Sequence, residues 1–303
     1  MAEFDEESRR KLEEWARDVL KSPDLLKYFY PIMAGRTCEE VIEDVREHGV
    51  SYTASTLRNA VLGGIEVLRK KGPAENLVKV GCASYGTILM VRYYCLLLQK
   101  LGIDYALLQK EYCCLPAPLY LTLAQGGDRS KVDELSRQLQ SEHIAEAHRR
   151  GTKNIVYFCQ WCALRNKWLF SDSDINQLYQ LDILTEPQLW EGKRLRLSGT
   201  VGYYGGPTHR KGIYEPTGSV ELNWQEYRKL LNRIEGLTVV DIPRYCCHVS
   251  LQPIWQWVED HNLDTVVVSC PTCYGNLTRH APPGVRIRSM SEILLDALGE
   301  QPW

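Results

Sequence analysis

Long apolar runs are missing from this chain of 303 residues. Its apolar stretches, such as IEVL at 65–68 and TVVVS at 265–269, fall far short of the ~20 residues a membrane-crossing helix needs. Excess charge of one sign is missing too. The 36 basic and 38 acidic residues leave a net charge of −2, so general attraction to nucleic acid or to an anionic membrane is not expected. The first residues, MAEFDEESRRKLEEW, are charged throughout and lack the apolar stretch of a secretory signal. A soluble, cytoplasmic protein is the expectation. No glycine-rich dinucleotide fingerprint follows a strand, GIYEPTGS at 212–219 not being one, and no GxxxxGK[ST] loop is present. Flavin, NAD and ATP are therefore not expected on this chain.

Cysteine, by contrast, is abundant. There are 11, and eight fall into four pairs: Cys113–Cys114, Cys159–Cys162, Cys246–Cys247 and Cys270–Cys273. In a cytoplasmic protein, disulfides are disfavoured and metal binding or redox chemistry is the better reading of such spacing. Adjacent cysteines close only a strained disulfide, which again favours ligation.

The hydrophobic fraction of 44% suits one or two packed domains. Residues 1–75 read as a helical extension. Its helices are ESRRKLEEWARDVLK, a second that starts at the capping box Thr37-Cys38-Glu39-Glu40, and ASTLRNAVLGGIEVLRKKG before Pro73. From residue 76, short β-rich runs alternate with helical patterns, the signature of βαβ units on a parallel sheet. NLVKVGC, DYALLQKEYCC and NIVYFCQWC read as strands running into cysteines. LRLSGTVGYY, LTVVDIPRYCC and TVVVSCPTC then replay the same order. The fold class expected is α/β: two tandem Rossmann-like cysteine-rich modules with short parallel sheets, at 76–195 and 196–303, preceded by the α-helical extension. Cysteines at strand C-termini stand where open parallel sheets bind ligands.

In the first module Cys82, Cys113, Cys114, Cys159 and Cys162 form a set of five thiols. One zinc needs four ligands; five thiolates, two of them adjacent, suit a multi-iron cluster better. The second module offers Cys246, Cys247, Cys270 and Cys273, with Thr208 or His209 where a fifth thiol would stand. A cubane cluster, an altered cluster and a zinc all fit four cysteines. His209 and His248 are candidate catalytic proton donors, since imidazole titrates near neutral pH, and Arg210 and Lys211 are candidate anion holders. Cys95 lies on the apolar helical face with Val91 and Leu98 and reads as a core residue. Cys38 in a first helical turn reads as structural. Trp161, Tyr203 and Tyr204 could screen a cluster from water.

Repeated in tandem, Cys…Cys-Cys…Cys-x-x-Cys resembles the cysteine-rich CCG domains of the heterodisulfide reductase-like family, over about residues 76–300. The resemblance implies a noncubane [4Fe–4S] cluster on Cys82, Cys113, Cys114, Cys159 and Cys162, with a second cluster or zinc on Cys246, Cys247, Cys270 and Cys273. It implies an iron–sulfur oxidoreductase subunit acting on a small thiol or disulfide, beside a ferredoxin-like iron–sulfur subunit and a flavoprotein subunit. Alternatives are a non-catalytic electron-transfer or docking subunit of a flavoprotein dehydrogenase complex and a zinc-stabilised scaffold. The chain departs from the family pattern at Leu115 and His248, where the family has the glycine of CCG, and at Thr208, where the second module lacks its first cysteine.

Overall fold

The computed structural model describes residues 37–49, 72–81, 88–124, 126–206, 216–217, 219–245, 247 and 250–300. The first and third expected helices, Cys82, Cys246, Thr208, His209, Arg210, Lys211 and His248 lie outside the described residues. The second expected helix is present as α1 (Cys38–His48). Its capping box forms: the Glu40 amide donates to Thr37 Oγ1 at 3.2 Å and the Thr37 amide donates to the Glu40 carboxylate at 2.7 Å.

Two four-stranded sheets follow. In the first, β1 (Asn76–Lys79) lies between β2 (Tyr105–Leu107) and β3 (Asn154–Tyr157), and β4 (Asn176–Tyr179) completes the order β2-β1-β3-β4. In the second, β5 (Arg196–Tyr204) lies between β6 (Glu235–Asp241) and β7 (Thr265–Val268), with β8 (Arg286–Ser289) outside β7. Every strand pair is parallel. The same order therefore occurs twice. β1, β2 and β7 are buried along their whole length, as expected of parallel strands covered on both faces.

The crossovers are helical. α2 (Ile88–Lys100) joins β1 to β2. α3 (Pro116–Ala124) and α4 (Ser130–Arg150) join β2 to β3, and α5 (Gln160–Leu169) leads to β4. α6 (Gln180–Leu184) and a 3₁₀ turn at Pro187–Trp190 link the halves. The second half uses α7 (Trp224–Asn232), α8 (Gln252–Asp260), α9 (Pro271–Arg279) and α10 (Met290–Ala297). α10 packs on α2, so a helix at the end of the second half covers the first, and one apolar core draws residues from both. Gly202 is needed inside β5: a Cβ there would stand 2.7 Å from Ile242 Cδ1 and 2.9 Å from Leu263 Cδ1.

The expected strands end earlier than read. β2 stops at Leu107, so the pair Cys113–Cys114 lies in the loop before α3, not on the strand. Cys159 is the N-cap of α5 and Cys162 lies in its first turn, so Cys-x-x-Cys is a strand-to-helix turn. α3, β4 and α6 were not legible as elements. Among the described residues, no helix is long and apolar enough to cross a membrane.

A candidate thiol site at the junction of the two halves

The central strands carry the site. Parallel pairing puts Lys79 beside Tyr157 in the first sheet and Tyr204 beside Val268 in the second. Two residues beyond each outer partner comes a cysteine, Cys159 or Cys270. Each is the N-cap of the next helix in extended backbone, at φ −92°, ψ 128° and φ −100°, ψ 127°. Each is followed one turn later by a second thiol, Cys162 or Cys273.

Gln180, the first residue of α6, ties the two ends together. Its Nε2 donates to Phe158 O at 2.9 Å and to Ser269 O at 2.7 Å, the carbonyls just before Cys159 and Cys270. Tyr179 Oη donates to the same Ser269 carbonyl at 2.7 Å. One side-chain amide thus fixes both strand ends, and Cys159 and Cys270 are close enough for their charges to interact.

Cys113, Cys114, Cys159, Cys162, Cys247, Cys270 and Cys273 are buried, and no two of them form a disulfide. Cys162 Sγ lies 3.4 Å from Cys114 Sγ. The thiol contact with Cys162, then burial, pushes Cys159 well up; the contact with Cys114, then burial, does the same to Cys162. Contacts with Cys247 and Cys270 push Cys273 up. Cys270 moves the other way. Burial works against it, but the Cys273 thiol and the backbone amides of Thr272 and Cys273 bring it down.

A cation stands beside the first set. Lys79 is 1% exposed; its Nζ donates to Gln140 Oε1 at 2.8 Å and lies 5.6 Å from the Tyr157 ring centre. A buried ammonium is costly unless negative charge is near. Burial pulls Lys79 down, but Cys162, Cys114, Glu111 and Cys113 outweigh it and hold the lysine protonated. Glu111, 2% exposed, accepts from the amides of Val80 at 2.6 Å and Gly81 at 2.8 Å. It thereby anchors the backbone that leads to Cys82.

Of the expected site residues, the described cysteines gather at the two strand ends, while Cys82, Cys246, His209 and His248 are outside the described residues. Trp161, Tyr203 and Tyr204 are buried. Cys95 is buried in α2, away from both cysteine sets, and burial pushes its thiol up to about 12. Cys38 is partly buried, and burial followed by Glu39 raises its pKa, opposite to the lowering a helix N-terminus gives. Sequence reading missed Lys79, Glu111, Gln160, Gln180 and Arg244. A lysine inside an apolar strand was a visible signal for the first, and the contrast of EYCC with RYCC for Glu111 and Arg244.

No family model matches the chain, and no curated protein does. Matching solved structures include an aspartate racemase homologue from Pyrococcus horikoshii, at 13% identity over 74% of this chain and 96% of that one, with a TM-score of 0.33. A putative Asp/Glu racemase from Yersinia pestis matches at 13% identity over 74% and 95%, with a TM-score of 0.35. A glutamate racemase from Bacillus anthracis matches at 12% identity over 76% and 81%, with a TM-score of 0.32. Likeness at this level carries no argument about activity.

These findings correct the expectation drawn from the cysteine pattern. Membership of the heterodisulfide reductase-like family is not upheld: no family model and no curated protein matches the chain. Among the described residues, no three thiol, imidazole or carboxylate groups form a set that holds a metal ion. The iron–sulfur oxidoreductase acting on sulfur groups is withdrawn with it, as are the electron-transfer subunit and zinc-scaffold roles. The physical reason lies in the framework. A repeated parallel sheet by itself sets cysteines at equivalent turns, and their spacing does not define what chemistry they perform.

Proposed function

We propose that this chain works through a thiolate site at the junction of its halves, and that the thiolates hold a thiophilic metal cofactor. The observation that carries the reading is Lys79. Its buried ammonium stands by the Cys114–Cys162 pair, whose Sγ atoms lie 3.4 Å apart, and a cation there favours the thiolate form of those cysteines once a metal displaces their protons. The thiolate is the metal-binding form of cysteine, and clustered thiolates select soft metals such as zinc, copper(I) or iron with sulfide. In the first half the metal would be held on the pair Cys114 and Cys162, and in the second on Cys247 and Cys273, which are in thiol contact; further ligands are needed in each, because no three described groups form a set. Gln180 holds the two sets in register. The reading concerns what the thiols bind and assigns no sulfur redox reaction.

The test is elemental analysis of the full chain purified without oxygen, reading iron, acid-labile sulfide, copper and zinc. At least stoichiometric metal is expected, with most of it lost in the double variant Cys114→Ser/Cys162→Ser. Metal-free protein that folds with all its thiols reduced would refute the reading. A cluster on the first set and a cluster or zinc on the second, the form expected from the sequence, is one supporting outcome.

A further inference from the structure

The two halves treat one turn of backbone differently. In the first, the amides of Val80 and Gly81 donate to Glu111, two residues before Cys113. Strand register makes Gly205 and Gly206 their counterparts, because Lys79 and Tyr204 hold equivalent places beside β3 and β7. Two residues before Cys246 stands Arg244 rather than an acid. A Cβ on Gly205 would lie 2.8 Å from Arg244 Nη2, so the guanidinium reaches the step that the Glu111 carboxylate serves in the first half. A guanidinium has no acceptor. The Gly205 and Gly206 amides have no hydrogen-bond partner among the described residues.

Arg244 itself forms no ion pair or hydrogen bond with a described residue. It stacks on Trp224, with Cζ 4.5 Å from the ring centre, and burial pulls its pKa down, only partly offset by Tyr203, Tyr204 and Asp241. On the neighbouring glycine, a Cβ at Gly206 would lie 3.2 Å from Gln160 Oε1. Gln160 is 0% exposed, yet neither its Oε1 nor its Nε2 has a partner among the described residues. A buried side-chain amide left wholly unsatisfied is costly, and this one stands against Gly206, next to the glycine that Arg244 reaches, so the turn gathers polar groups that call for a ligand.

We infer that the Gly205–Gly206 turn, Arg244 and Gln160 form a binding recess for a small carboxylate-bearing molecule at the start of α5, one residue after Cys159. An external carboxylate would there take the role that Glu111 plays internally in the first half: two backbone amides on one side and a planar, two-pronged guanidinium on the other. Gln160 supplies a donor and an acceptor for the rest of the molecule. Glycine at both positions leaves room for the two side chains. The inference does not depend on what the thiols hold.

Isothermal titration of the full chain with acetate, succinate, phosphate and sulfate tests it. Saturable binding of a carboxylate is expected, weakened at least tenfold in Arg244→Gln and less in Arg244→Lys. If Arg244→Gln does not fold, Gln160→Glu serves instead, since a second negative charge at the recess should weaken binding at least tenfold. Absence of saturable carboxylate binding, saturation by phosphate or sulfate alone, or unchanged affinity in these variants would overturn the inference. Metal content is read on the same samples. Arg244→Gln should leave it unchanged, so a failure here is distinct from a failure of the thiolate reading.

Discussion

The first and second halves share a backbone plan and differ in charge. Strand order, parallel pairing and N-cap cysteines correspond one to one. At the strand end, however, Lys79 in the first half answers to Tyr204 in the second, and Glu111 answers to Arg244. In the first half cation and anions are internal and satisfy one another. In the second, Tyr204 donates to the Tyr245 carbonyl, whereas Arg244 and the Gly205 and Gly206 amides have no hydrogen-bond partner among the described residues. Repeated architecture therefore does not mean repeated chemistry: the sheet fixes where groups stand, and single substitutions at those places decide whether the half closes on itself or awaits a ligand.

Replacing the central group of each half should separate them most. Lys79→Met removes a buried cation and leaves the buried Glu111 carboxylate without it, which should cost about 3–5 kcal/mol. Tyr204→Phe removes a hydrogen bond to the Tyr245 carbonyl and should cost about 1 kcal/mol. Urea denaturation measures both, and equal losses would show that the first half does not rely on its cation.

The residues before the cysteine pairs come next. Glu111→Gln keeps one acceptor for two buried amides and should cost about 1–3 kcal/mol. Arg244→Gln, which breaks no hydrogen bond or ion pair with a described residue but loses the stack on Trp224, should cost only about 0.5–1 kcal/mol. A large loss from Arg244→Gln under the same denaturation would mean that the guanidinium already has an internal role, and the contrast between the halves would collapse.

Much of this fold was readable from the chain. Val-rich runs such as TVVV and the 3.6-residue patterns of α2, α4 and α10 gave the parallel α/β plan and its repeat, because fully buried strands and amphipathic helices leave strong periodic marks. The cysteines at strand ends were readable for the same reason. The charge pattern was not. Lys79 and Glu111 meet across 31 intervening residues through tertiary packing alone, and Arg244 takes its meaning from the absence of a partner, which no local pattern records. The same limit explains the mistaken family resemblance: spacing reveals convergence of thiols, whereas what they do depends on neighbours brought in from elsewhere.

Leu115 sharpens the contrast at smaller scale. It follows the first cysteine pair at φ +53°, a left-handed conformation costing a side-chain-bearing residue about 1–2 kcal/mol, and it is fully buried. Its burial holds the turn against that strain. Truncation should therefore reverse the usual order of residues: Leu115→Gly should be more stable than Leu115→Ala by about 1 kcal/mol, although both fall below the parent. If the alanine variant is the more stable under thermal or urea unfolding, the turn is not strained and the bulk of Leu115 has no conformational role.

Cys95 gives the smallest effect and serves as the control thiol, being in the first half but outside the site. Its pKa rises from an ordinary 9.0 to about 12 through burial, partly offset by a hydrogen bond with Tyr105. The folded state therefore holds this proton more tightly than the unfolded state does. The contribution is fully present below about pH 9 and is lost as pH rises toward 12. Buried tyrosines titrate in the same range, so the quantity to follow is the difference between the parent and Cys95→Ala. That difference should be constant from about pH 6 to 8 and shrink by about 1 kcal/mol by about pH 10, in line with about 1.4 kcal/mol per pH unit for one differing proton. A difference that stays flat through that range would mean that Cys95 is not sealed from solvent. It would then have to be counted among the chain's reactive thiols, and the division between core cysteine and site cysteine in the first half would need to be redrawn.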